Sequence, residues 1–204
     1  MAAITRSLAL CCLFWGVLTL PGFTGPRGVY TVDHARVTVE KRGTQSWCVL
    51  DAQVTAYFSV SPQVLIAVIQ DLDHYTSTFS KITEASWVQE GDAFLLAETV
   101  VVTVLGIRNV NHFRLKIEYS KTINPDTFTQ SWTQDWTDGT IDSLWGSWVF
   151  IDVGTPAAPR TKVIYHSHSA VPDKLFGQSA IIQLFLGSET KAAVEAVAKM
   201  AGAG

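Results

Sequence analysis

The chain has 204 residues, 48% of them hydrophobic and 16% charged, and a formal net charge of -3. That length suits one domain, and the apolar share excludes a disordered chain while supplying material for a large core. The basic residues are scattered, which argues against nucleic acid as a partner and against a protein held on membranes by charge, since both need clustered cations.

The first 25 residues differ from the rest. Arg6 is the only charged side chain before Arg27, and an unbroken apolar run extends from Leu8 to Leu18 until Pro21, Gly22, Gly25 and Pro26 interrupt the pattern. A basic start, a short apolar core and a small-residue exit form the layout of a secretory signal peptide, and the run falls short of the roughly 20 apolar residues of a membrane span. Residues 1–25 are therefore expected to be a signal peptide cut near Thr24 or Gly25, with export to the periplasm or another extracytoplasmic space. An uncleaved anchor is the weaker alternative. A lipid-modified cysteine is weaker still, because Cys11 and Cys12 lie inside the apolar run. Once the leader is removed, Cys48 is the sole cysteine, so no internal disulfide can form and packing alone must hold the fold. Its neighbours Trp47, Val49 and Leu50 predict a buried strand position.

Residues 29–40 read as a β-strand, 41–45 as a turn and 47–59 as a second strand, with Val54, Ala56 and Phe58 on one face, so the pair predicts a hairpin. Ser61-Pro62 then opens a helix, serine as N-cap and proline at the first helical position, and Val64, Leu65, Val68, Ile69 and Leu72 follow at helical spacing. Residues 71–82 predict a second short helix with Tyr75, Phe79 and Ile82 on its inner side. Six strands are expected over 83–89, 93–104, 110–121, 127–137, 145–153 and 161–171. The separators are turn-like: Glu90-Gly91-Asp92, Leu105-Gly106-Ile107, Asn124-Pro125-Asp126, Asp138-Gly139 and the stretch from Gly154 to Pro159. Such short connections make an antiparallel meander. After Pro172 one long helix is expected, eased at Gly187. Its first half is apolar nearly all round, through Leu175, Phe176, Ile181, Ile182, Leu184, Phe185 and Leu186. Its second half sets Val194, Val197 and Met200 against Lys191, Glu195 and Lys199.

Three stretches carry a resemblance. Ser61-Pro62-Gln63-Val64 through Val68-Ile69-Gln70-Asp71-Leu72-Asp73-His74-Tyr75, followed by Phe79 and Ile82, is similar to the opening segment of the START-like superfamily. This group includes polyketide cyclases, lipid-transfer START domains and birch-pollen-type ligand carriers. Gly146-Ser147-Trp148-Val149-Phe150 resembles its Gly-x-Trp-x-Phe strand, and Thr161-Lys162-Val163-Ile164-Tyr165 with Pro172 resembles its Thr-x-Val-x-Tyr…Pro strand. The resemblance implies an α+β helix-grip fold, a curved antiparallel sheet wrapped around a long C-terminal helix. It covers residues 47–201 as a START-like ligand-binding domain. Residues 26–46 are then an N-terminal extension that adds a strand. The motifs specify fold better than function, because the superfamily hosts carriers and enzymes alike.

A sheet around one helix leaves a gap where the helix cannot fill the curve, and gaps of that kind are ligand pockets with mostly apolar walls. The expected wall comprises Phe113, Leu115, Ile117, Trp132, Trp148, Phe150, Tyr165, Ile181 and Phe185, each of which taken singly would serve equally well in a dry core. The expected partner is a lipid or other hydrophobic small molecule, with no nucleic acid, no cofactor, no metal and only transient membrane contact.

Two other readings stay open. The first is an enzyme of the cyclase or dehydratase kind, with Asp71, His74 or Tyr165 as acid/base groups. The second is an interaction module that docks a partner, in a membrane-associated system, through the long helix or the added strand. Asp71, Asp73 and His74 at the helix junction read more simply as caps, and Asp135 and Asp138 as turn residues. His166 and His168 share a strand face and have spacing suited to zinc or to proton exchange. Lys162 on the same face marks that side as solvent, so both histidines are expected at the surface. No nucleophile motif, phosphate loop or Cys/His metal spacing is present, and a non-enzyme is the favoured expectation.

Overall fold

The computed structural model describes residues 28–104, 107–123, 126–174 and 177–203. The expected leader, Leu175, Phe176 and the central residues of two turns, 105–106 and 124–125, lie outside the described residues.

Eight strands form one antiparallel sheet: β1 (Val29–Arg42), β2 (Gln45–Phe58), β3 (Ile82–Glu90), β4 (Ala93–Val104), β5 (Ile107–Ile123), β6 (Asp126–Thr137), β7 (Asp142–Asp152) and β8 (Thr161–Pro172). The order across the sheet is β1-β2-β8-β7-β6-β5-β4-β3, so β3 to β8 run as a meander and β2 closes against β8. Period-two burial explains the curve's two faces. In β2, Ala52, Val54, Ala56 and Phe58 are buried, while Asp51, Gln53 and Thr55 between them face outward and stay partly exposed. The added strand β1 pairs with β2 along nearly its whole length, as the hairpin expectation required.

Between β2 and β3 lie α1 (Pro62–Gln70), a 3-10 turn (Leu72–His74) and α2 (Tyr75–Thr78). Here the expected second helix over 71–82 is corrected. It stops at Thr78, and Ile82 already begins β3. The reason is local: Thr76, Ser77, Thr78 and Ser80 compete for backbone partners, as the Ser77 hydroxyl does by donating to the His74 carbonyl at 2.8 Å. Tyr75 ties the insertion together, its hydroxyl donating to the Ile69 carbonyl at 2.7 Å.

The long helix α3 (Gln178–Met200) crosses the concave side against β1, β2 and β8, with α1 and α2 beside it. It is continuous through Gly187, where the backbone instead comes close to β1. A Cβ added there would sit 3.4 Å from Val32 Cγ1 and 3.5 Å from Ala35 Cβ. Thr190, Val194, Val197 and Ala198 are the helix's buried face. The first half is less covered than its composition predicted. Leu184 is 78% exposed and Phe185 54% exposed, because α3 there overhangs the edge of the sheet at β1. Gln183 marks that edge: its amide donates to the Ala35 carbonyl and its carbonyl oxygen accepts from the Val37 N–H, both at 2.8 Å. No helix among the described residues is long and apolar enough to cross a membrane.

Candidate functional site: a cavity under the C-terminal helix

A cavity of about 320 Å³ lies between the concave sheet face, α2 and the second half of α3. Its sheet wall is built by inward-pointing residues of four strands: Leu96, Glu98 and Val100 from β4, Phe113, Leu115 and Ile117 from β5, Gln130 and Trp132 from β6, and Trp148 from β7. Tyr165 of β8 completes it. The helix contributes Glu189, Ala192, Ala193 and Ala196 at i, i+3, i+4 and i+7, one face on which the three alanines are small. That face is why the space stays open. A leucine or phenylalanine at any of the three alanines would reach across to the aromatic wall.

Aromatic rings pack the wall behind the cavity. Contacts run from Trp87 through Phe94, Tyr119, Phe128, Phe150, Trp148 and Tyr165 to Trp132, with centroid separations from 4.1 to 6.4 Å. Gly146 makes this possible on β7, because a Cβ there would lie 2.3 Å from the Trp132 ring and 2.3 Å from the His166 carbonyl oxygen. The glycine of the Gly-x-Trp-x-Phe segment is thus the bed on which the Trp132 indole rests. Thr161, which opens the Thr-x-Val-x-Tyr segment, is fully buried and donates to the Val60 carbonyl at 2.7 Å, tying β8 to the start of the helical insertion.

Of the nine residues expected on the wall, Phe113, Leu115, Ile117, Trp132, Trp148 and Tyr165 are brought together around the cavity. Phe150 is fully buried in the aromatic ladder behind it. Ile181 and Phe185 lie away from it, in the half of α3 that overhangs the sheet. The helical lining comes about two to four turns later, from alanines that a search for large apolar side chains passes over.

The polar lining was also missed from sequence. Glu98 is 8% exposed, and burial pushes its carboxyl up to about 8, so it is protonated at neutral pH. Gln130 is 2% exposed; its amide donates to the Tyr75 hydroxyl at 3.1 Å, while its Oε1 is buried without a hydrogen-bond partner. The two enter at different points, since on the intervening strand Glu98 faces Phe113 and Gln130 faces Tyr119. A sequence signal existed: Glu98 interrupts the inward series Phe94, Leu96, Val100, and Gln130 sits between Phe128 and Trp132. Burial also raises the phenol of Tyr165 to about 12 and that of Tyr75 further. At the edge of the cavity, Lys81, just before β3, pairs with Glu189 of α3.

The remaining candidates lie elsewhere. Asp71 and His74 pair with each other at 2.8 Å in an exposed position, and Asp73 accepts from the Trp87 indole at 2.8 Å, so this trio fastens the helix junction outside the cavity. Asp135 pairs with Arg114 on the outer face, and Asp138 accepts from Thr140 within its turn. Cys48 is fully buried, its thiol pushed up to about 11 by burial and by Asp173.

Searches by family model and among curated proteins give no match to this chain. Solved structures do match. A human StAR-related lipid transfer protein 5 superposes with a TM-score of 0.60 at 7% identity, covering 81% of this chain and 86% of that one. A STAR-related lipid transfer protein from Xanthomonas axonopodis gives 0.56 at 9% identity, with 81% and 98% covered. The Zhui aromatase/cyclase from Streptomyces sp. R1128 gives 0.53 at 14% identity, with 76% and 94% covered. The chain has the START-like helix-grip fold. The structural neighbours with that fold are described both as lipid transfer proteins and as an aromatase/cyclase, so fold alone does not fix a role.

Proposed function

We propose that this protein is an exported carrier that binds, and hands on, a lipid-like small molecule held between the sheet and α3. The observation that carries the reading is the cavity itself, about 320 Å³ with walls of Phe, Leu, Ile, Trp and Ala. Ligand sites span about 300–1,000 Å³, and apolar burial at about 25 cal/mol per Å² supplies affinity without specific contacts. Two polar points add orientation. Protonated Glu98 donates a hydrogen bond, and the unpartnered Gln130 Oε1 accepts one. The ligand that suits them has an apolar body with a hydroxyl or carbonyl oxygen. Structural neighbours described as lipid transfer proteins support the same class. The signal-like leader supports export, and the exposed Leu184 and Phe185 offer an apolar contact for brief loading at a membrane.

Native mass spectrometry of the protein purified from its producing cells tests this, with a fluorescent fatty-acid or sterol probe as the second arm. The expected result is a co-purifying apolar molecule, displaceable by the probe, on a chain shortened near Thr24 or Gly25. A chain that carries no such molecule and binds neither probe overturns the carrier.

One observation favours a second reading, a cyclase- or dehydratase-type enzyme: a buried carboxyl with a raised pKa in a cavity is the form a general acid takes. Recovery of the bound molecule chemically unchanged after prolonged incubation removes that alternative.

A further inference from the structure

On the opposite, convex face of the sheet, three histidines surround one carboxylate. His34 Nε2 lies 2.6 Å from Asp51 Oδ1, while His166 Nε2 and His168 Nδ1 lie 3.1 and 3.2 Å from Asp51 Oδ2. The ligand atoms of His34, Asp51 and His166 are all within 4.8 Å of one another. The expectation that His166 and His168 are ordinary surface side chains is corrected here. Both are about one-fifth exposed, at 22% and 19%, because β1 and Trp145 flank them.

Three strands supply the four groups: β1 gives His34, β2 gives Asp51, and β8 gives His166 and His168. In the register, His168 is directly opposite Asp51, and His166 is opposite Gln53. His34 reaches the same side only because of a bulge. Val32 pairs with the inward Val54, but the register shifts after it and His34 pairs with the outward Gln53. A bulge of this kind re-aims a side chain. Asp33, the extra residue, is fixed by accepting from Gln53 at 2.9 Å and Thr55 at 2.7 Å. A second register shift, between Asp142 and Trp145, precedes Trp145 on β7. Its indole stacks on His168 at 4.7 Å and meets His166 edge-on at 5.0 Å, which fixes both ring planes.

We propose that this cluster is a binding site for a divalent first-row metal ion, zinc being the ion its donor set suits best, and that the ion staples β1 to β2 and β8. Zinc takes imidazole nitrogen and carboxylate oxygen in tetrahedral geometry at about 2.0–2.2 Å, which puts neighbouring donors about 3.3 Å apart. The 3.1 Å separation from Asp51 to His166 matches that spacing, and the 2.6 Å contact of His34 needs a retreat of under about 1 Å. His34, Asp51 and His166 are the three protein ligands, a solvent oxygen completes the tetrahedron, and His168 holds the Asp51 carboxylate beside them. The site faces away from the cavity and does not depend on the carrier reading.

The test is a zinc titration of the tag-free chain by calorimetry, with cobalt(II) absorption as a readout of coordination geometry and thermal melting as a readout of the staple. One ion per chain, a tetrahedral cobalt spectrum and a higher melting temperature with zinc are expected. His166→Gln and Asp51→Asn should weaken zinc by well over about tenfold. His112→Gln, a histidine on β5 outside the cluster, should leave binding unchanged. Failure of the unaltered chain to take up zinc overturns the proposal and identifies the cluster as a hydrogen-bond network only. Uptake that survives His34→Gln and His166→Gln together, in protein whose circular dichroism is intact, overturns it too.

Discussion

The two halves of α3 invert what their side chains suggest. The first half carries Ile181, Ile182, Leu184, Phe185 and Leu186, yet Leu184 and Phe185 are mostly in water. The second half is charged and alanine-rich, yet it supplies the buried Thr190, Val194, Val197 and Ala198 and the roof of the cavity. Side-chain size tells how much surface a residue offers, not whether a partner surface exists where it points. The sheet decides that, and it ends at β1 while the helix continues. Hollows follow the same logic, since they sit where small residues face a well-formed wall rather than where large ones cluster.

Three substitutions break or sharpen this contrast. Ala193→Phe in the second half should fill the cavity and weaken fluorescent-lipid binding by about a hundredfold, equivalent to about 3 kcal/mol. Melting should hold or rise, because the ring enters open space. A loss of the about 1–3 kcal/mol typical of overpacking would mean that the interior is already full.

Glu98→Gln, on the wall opposite, should be next in size. The glutamate has a folded pKa of about 8 against about 4.3 in the unfolded chain. Its contribution is therefore fully present below about pH 4.3 and is lost progressively as pH rises towards about 8. The uncharged amide removes that loss, so the variant should gain on the order of 3 kcal/mol over wild type at pH 7 and show a flatter stability profile between those limits. Denaturant unfolding at several pH values measures it, and parallel slopes for the two proteins would contradict a neutral buried Glu98. The smallest effect belongs to the first half. Phe185→Ser should shift stability by no more than about 0.5 kcal/mol in denaturant unfolding, where a packed phenylalanine would cost about 3–5.

Most of the architecture was legible because each element advertises one buried side. Phe113, Leu115, Ile117 and Tyr119 alternate with His112, Arg114, Lys116 and Glu118, and Ser61-Pro62 opens a helix where expected. The sheet half of the cavity wall followed from the same alternation. Its helical half did not, because Ala192, Ala193 and Ala196 carry no signal until the helix is rotated against a particular sheet. Glu98 and Gln130 were readable as breaks in inward series but were outweighed by their aromatic neighbours. The grouping of His34 with Asp51, His166 and His168 was out of reach. It needs β8, 115 residues on from Asp51 at His166, to pair with the β1–β2 hairpin, and a bulge that no residue type announces.

The amide of Gln183 has a consequence for how copies of this chain meet one another. An unpaired sheet edge is a template on which a foreign strand can grow. At Ala35 and Val37 that template already has a tenant, a side chain presenting one donor and one acceptor in the manner of a peptide group. An incoming strand would gain nothing at those two residues until it evicted the glutamine. A single long polar side chain on an overhanging helix thus guards the rim against fibre-like self-association.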